Sequence, residues 1–191
     1  MTQTTRSLAV GPLVLTGMIL LAALSRLVPH PPNFSPIEAV ALFGGAYFVQ
    51  RMWAVAVPLI AMAISDLVLA LVNGGIYMDY FLNAHFVAIY ASIVLCTLLG
   101  FGMRGRVVGV RVLGYSLAGS VLFFLLTNFA VWMSANPVIA PACGSGLGAC
   151  YLAGLPFFQW TLLGTLFYSA ILFGGFALLR ARIPQLRAQT A

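Results

Sequence analysis

Residues 52–73 read MWAVAVPLIAMAISDLVLALVN, an apolar run that contains one ionisable side chain, Asp66. A bilayer core about 30 Å thick is crossed by about 20 apolar residues in an α-helix. The run therefore predicts a membrane-spanning helix. It lacks the apolar–polar alternation that an outer-membrane β-barrel strand requires. Working outward, further apolar runs lie at about 8–29, 36–50, 83–102, 112–135 and 155–179. The second is short, roughly 22 Å of helix at a rise of about 1.5 Å per residue. The first is too long for a signal peptide and has no small-x-small cleavage site before Arg26, so it reads as a retained helix.

Composition agrees. Of 191 residues, 62% are hydrophobic and 6% charged, against about 25% charged in soluble domains. That excludes a soluble enzyme, a nucleic-acid binder and a disordered chain. The fold expected over residues 1–191 is one all-α integral membrane domain of six transmembrane helices.

The nine basic residues are all arginines. Arg6, Arg51, Arg104, Arg106, Arg111, Arg180, Arg182 and Arg187 fall on one side of this arrangement. The positive-inside rule makes that side, and with it both termini, cytoplasmic. Arg26 lies at the opposite side, together with Glu38, Asp66, Asp79, His30 and His85. Such segregation points to a binding site that opens outward.

The outer loops carry the texture. In the first, residues 30–36, prolines stiffen the chain. Ser35 and Glu38 have the spacing of a capping box, with Pro36 at the first helical position; ligand contact by Glu38 is the alternative. The second, residues 73–82, mixes glycines with Tyr77, Met78, Asp79, Tyr80 and Phe81. It reads either as a lid or as an interfacial aromatic belt. The third runs from Asn136 to Gly154 and holds Cys143 and Cys150 around a glycine-rich stretch. Outside the cytoplasm this pair predicts a disulfide. A third metal ligand is not nearby, and the glycine run follows no strand, so it is not a dinucleotide fingerprint. Cys96, deep in the fourth span, reads as a small buried hydrophobe.

An intramembrane carboxylate costs about 2.5–3.5 kcal/mol on insertion scales, so Asp66 needs a partner or a wet cavity. Arg26 is the cation expected to supply it, in a pair that ties helices, sits at a ligand, or does both. Asn128 and Gln159 fall at a depth similar to Asp66. They either line an outward cavity with it or make interhelical hydrogen bonds. Phe34, Tyr77, Tyr80, Trp132 and Trp160 are candidates to stack on a planar ring. No Walker motif, Ser-His-Asp grouping or HExxH is present. A non-enzyme without an intrinsic cofactor is therefore expected.

Residues 25–36 (SRLVPHPPNFSP), followed by 41–46 (ALFGGA), 65–69 (SDLVL), 127–132 (TNFAVW) and 155–158 (LPFF), make the chain resemble a bacterial family of small six-helix membrane proteins described as transport proteins. That family is related to the substrate-binding S-components of energy-coupling factor vitamin transporters, with a solitary cobalamin-transporter branch nearby. The resemblance covers most of the chain. It implies an S-component-like bundle in the bacterial inner membrane that takes up a vitamin or cofactor precursor, with cobalamin or a related corrinoid as the leading substrate. It implies either an energy-coupling partner or none; the first span has no clear Ala-xxx-Ala docking pattern, which favours a solitary protein or a divergent partner. The cobalamin branch uses a cysteine near the start of helix four to hold cobalt, and this chain has no cysteine between Asp66 and Ser92. His85, or else His30, would be the cobalt ligand instead. The substrate-binding set so expected is Arg26, His30, Asn33, Phe34, Asp66, Tyr77, Asp79, Tyr80, His85, Asn128, Trp132 and Gln159. A non-transporting scaffold subunit of a larger complex is the alternative from another class.

Overall fold

Apolar chain without competing polar side chains satisfies its backbone internally, and helices do so within one segment. In the computed structural model, which describes residues 10–74, 84–134 and 140–191, all regular structure is helical. Helix α1 (Val10–Leu24) continues into a 3-10 turn, Ser25–Leu27. Helices α2 (Ile37–Tyr47), α3 (Arg51–Asn73), α4 (Ala84–Phe101) and α5 (Gly109–Ser134) follow. Helix α6 (Leu147–Ser169) passes through a π-helical turn, Ala170–Gly174, into α7 (Gly175–Arg182), and α8 (Pro184–Gln189) ends the chain.

Among the described residues, four stretches are long and apolar enough to cross a membrane: Val10–Leu27, Arg51–Asn73, Gly109–Ser134 and Leu147–Arg182. Their outer faces carry bare aliphatics; Leu21, Leu71 and Val110 are each more than 70% exposed, a surface suited to lipid rather than water. Two apolar helices, Ile37–Tyr47 and His85–Phe101, are shorter.

The expected second span, 36–50, holds a shorter helix. Helix α2 has 11 residues, about 16 Å, too little for a core of about 30 Å. All of its residues are buried, so its solvent is protein rather than lipid. Small residues let neighbours close on it. A Cβ on Gly45 would lie 2.9 Å from the Cα of Gly100 on α4, and one on Gly44 would lie 2.8 Å from Pro58 on α3. Beyond Tyr47 the backbone turns extended at Phe48. There Arg104, from the α4–α5 connection, donates to the carbonyls of Gly45 (2.9 Å), Phe48 (2.7 Å) and Val49 (3.4 Å). These are the orphan acceptors of a helix C-terminus. The guanidinium also lies over the Phe101 ring, 4.3 Å from its centroid.

The last expected span, 155–179, is also longer than predicted. The helix starts at Leu147, so residues 147–154 are helix rather than loop. Gly146, at φ 118°, makes the turn into it, and the disulfide Cys143–Cys150 ties the preceding 3-10 turn, Pro141–Ser145, to its first turn.

The two ends of the described chain meet. The Gly11 amide donates to Gln189 Oε1 (2.7 Å), and the Ala191 amide to the Tyr47 carbonyl (2.9 Å). Arg51 and Arg104 over Phe101, Arg111 on the Gly102 carbonyl and Arg180 over Tyr47 gather at this same end, the basic end. Phe43, Tyr47, Phe173 and Phe176 interlock beside it, with Tyr47 and Phe176 centroids 4.5 Å apart.

Candidate functional site

At the end opposite the arginine cluster, the 3-10 turn after α1 places Arg26 against α3. Its Nη1 donates to Asp66 Oδ1 (2.5 Å) and to Ser65 Oγ (3.3 Å). Ser65 in turn donates to the Ala23 carbonyl (2.9 Å), and the Tyr90 hydroxyl on α4 donates to Asp66 Oδ2 (2.9 Å). Next to this, Ser25 Oγ bonds the Ala22 carbonyl (2.6 Å) and lies 2.7 Å from the Tyr168 hydroxyl on α6. Phe34 packs on Phe167 and Tyr168, at centroid distances of 5.5 and 5.9 Å. The expected Arg26–Asp66 pair is thus formed, and it joins α1, α3 and α4. Its side chains are 16% and 17% exposed.

The remaining expected site residues are distributed more widely. His30 and Asn33 are exposed on the loop after α1. His30 Nδ1 lies 2.9 Å from the Pro31 carbonyl, and Asn33 takes a left-handed φ of 65°. His85, in the first turn of α4, bonds the Thr127 backbone on α5. Asn128 donates to the Phe124 carbonyl of its own helix (2.9 Å), and its Oδ1 faces Gly154 on α6. Trp132 stacks near Phe129 at 5.7 Å. Gln159 is exposed and Trp160 half-buried. The polar groups of Asn128 and Gln159 are therefore not turned to Asp66, whose two oxygens are held by Arg26 and Tyr90. Tyr77, Asp79 and Tyr80, with most of the second outer loop, lie outside the described residues, as do Arg6 and the start of the third loop. Among the described residues no three His, Cys, Asp or Glu side chains gather as a metal site.

The capping box is corrected. Pro36 is the N-cap of α2 and no side chain caps it. Ser35 lies beneath α6, where a Cβ on Gly164 would come within 2.8 Å of its amide nitrogen. Glu38 is 1% exposed and turned into the core, within hydrogen-bonding reach of Thr165. Both Ser35 Oγ and Glu38 Oε1 are buried without a partner.

Several participants give little sequence signal. Tyr90 and Tyr168 read as apolar-span tyrosines, and Ser25 and Ser65 as small packing residues, until the fold sets them beside Arg26 and Asp66. A groove of about 410 Å³ opens at the basic end between α5 and α6. Tyr47, Val112, Ser116, Ser169, Phe173 and Gly174 are among its walls, and the π-helical turn forms one side. Such turns recur at functional positions in helices.

These features define an all-helical protein with membrane-length apolar helices, held at one end by a polar clamp. Residues 6–186 match a family of unknown function, DUF6580, and the chain belongs to that family. No curated protein and no solved structure matches it.

Proposed function

We propose that this chain is a multi-pass protein of the bacterial inner membrane that binds and takes up a vitamin or cofactor precursor, with cobalamin or a related corrinoid the leading substrate. In this reading the chain passes from one face of the bundle to the other six times, α2 doing so enclosed by protein together with the extended residues after it, and both termini are cytoplasmic. It acts as a binding and transport protein rather than an enzyme, alone or with an energy-coupling module. The observation that carries the reading is the polar clamp at the far end, whose Arg26 and Asp66 side chains keep 16% and 17% of their surface exposed. Arg26, Asp66, Tyr90 and Ser65 lie there at the mouth of the bundle, one 3-10 turn from the exposed His30–Asn33 loop and the Phe34 ring stack. Arginine and carboxylate fix polar substituents, and aromatic faces take a planar ring.

Equilibrium dialysis of the purified, folded protein against cyanocobalamin, riboflavin, thiamine and biotin tests this. Saturable binding of one of them is expected; a folded sample that binds none refutes it. One observation favours the scaffold reading: both Asp66 oxygens are already satisfied within the protein. Asp66→Asn separates the two. Normal folding with lost uptake supports transport, whereas lost assembly with no solute phenotype supports a scaffold.

A further inference from the structure

Glu38 is the one acid in the described chain that does not belong to the Arg26–Asp66 clamp. Four helices converge on it. A Cβ at Gly119 on α5 would be 3.8 Å from Glu38 Cβ and 3.5 Å from Cys96 Sγ on α4. Thr165 on α6 is in hydrogen-bonding reach. The Ser116–Ser169 hydrogen bond (2.9 Å) fixes the antiparallel register of α5 and α6. One turn further along each helix, that register sets Ser120 opposite Thr165, level with the carboxyl.

Two details concern the proton. A threonine hydroxyl has a single proton, and Thr165 spends it on the Thr161 carbonyl (2.9 Å). The same hydroxyl lies within hydrogen-bonding reach of the Glu38 carboxyl. Glu38 Oε1 and Ser120 Oγ are both buried and without a partner in the protein.

Further hydroxyls lie toward the basic end. Ser116 and Ser169, one turn from Ser120 and Thr165, are themselves walls of the groove at the basic end. In the other direction Thr161 and Thr127 continue the line of buried hydroxyls between α5 and α6. Of the titratable groups on the helices around α2, the buried Cys96 lies beside Glu38, both bordering Gly119. Asp66 and Tyr90 are closed on Arg26, Tyr168 on Ser25, and His85 on the Thr127 backbone. Tyr151 is closed on the Leu125 carbonyl, and Tyr115 packs at Gly102.

We propose that Glu38, with Ser120 and Thr165, is a proton-binding site in the membrane core that exchanges its proton with the groove through Ser116 and Ser169. The step is a reversible O–H bond: the carboxylate takes a proton arriving along the hydroxyls and returns it the same way. The assignment of this site does not rest on the uptake activity proposed above.

The test is infrared spectroscopy of the full-length protein in lipid bilayers, titrated with pH in Na⁺-free buffer. With three Asp and Glu side chains in the chain, the carboxylic-acid C=O region is sparse. The expected result is a C=O band that responds to pH and shifts in D2O, disappears completely in Glu38→Gln and survives in Asp66→Asn. Ser116→Val, which removes a hydroxyl at the groove, is expected to slow the D2O shift. If Glu38→Gln does not fold, Glu38→Asp is expected to move the band. A band unchanged by substitution at Glu38 overturns the proposal. So does a Glu38 band blind to pH and D2O, or one set by Na⁺ instead of pH.

Discussion

Replacing Asp66 with Asn strands the Arg26 guanidinium without its counter-charge, in a site where both side chains are about five-sixths buried. Breaking a buried pair by removing one partner costs about 3–5 kcal/mol. The residual exposure places this pair at the lower end, about 3 kcal/mol. Arg26→Met leaves the carboxylate stranded in the same way, with only the Tyr90 hydroxyl at 2.9 Å to hold it, and costs a similar amount. Removing both charges together leaves unpaired hydroxyls rather than unpaired ions. Arg26→Met with Asp66→Asn is therefore expected to cost about 2 kcal/mol, far below the additive value of about 6 kcal/mol. For a chain of this size each kcal/mol moves Tm by about 2–4 °C. The single variants should fall by about 6–12 °C and the double by about 4–8 °C. Size-exclusion thermostability in detergent measures all four proteins. Single losses under about 2 °C, or a double loss equal to the sum of the singles, would refute the coupling and make the pair a solvated surface contact.

Arg104→Ala removes the carbonyl cap of α2 and is expected to cost about 2 kcal/mol by the same assay, with Arg104→Lys recovering little because one ammonium does not reach three carbonyls. Gly45→Ala drives a methyl into the backbone of α4 and should cost about 3 kcal/mol or prevent assembly, whereas at Gly119 the nearest atoms are 3.4–3.8 Å away and alanine should change Tm by less than about 3 °C. Replacing Cys143 and Cys150 by serine should lower stability by about 2.5 kcal/mol, from loop-closure entropy alone; a mobility change of the wild type on reducing gels checks that the bond exists.

The clamp is legible in the sequence because charge is scarce. A single Asp inside an apolar run has to be answered, and Arg26 is the cation that shares its end of the bundle. The Cys143–Cys150 bond is legible for a similar reason, two thiols seven positions apart around a glycine-rich stretch. The length of α2 is not. Residues 36–50 are apolar throughout, and hydropathy does not distinguish a helix enclosed by lipid from one enclosed by protein. What ends α2 is Arg104, 59 positions away from the Gly45 carbonyl it binds. Depth along a helix is readable from residue count, but azimuth is not. Asn128 and Gln159 lie in the same half of the molecule as Asp66, yet Asn128 faces Gly154 and Gln159 is exposed. At about 100° per residue, a shift of one position redirects a side chain from pocket to lipid.

That enclosure makes demands on α2 that an ordinary membrane helix does not face. Both ends stop inside the protein, so neither the free amides nor the free carbonyls can turn to water. At the C-terminus Arg104 supplies donors. At the N-terminus Pro36 has no amide proton, and Glu38, in the first turn, uses part of its carboxyl on its own backbone amide. The positive end of the helix dipole favours a carboxylate there. Burial among apolar side chains, at 1% exposure, opposes a charge there. With these influences opposed, the two protonation states of Glu38 lie closer in energy than either influence alone would allow. A group that must take up and release a proton needs that balance. Were the carboxyl only a helix cap, Ser35 and Glu38 would be bonded to the α2 amides as a reciprocal pair, and the oxygens Ser35 Oγ and Glu38 Oε1 would not be left without partners.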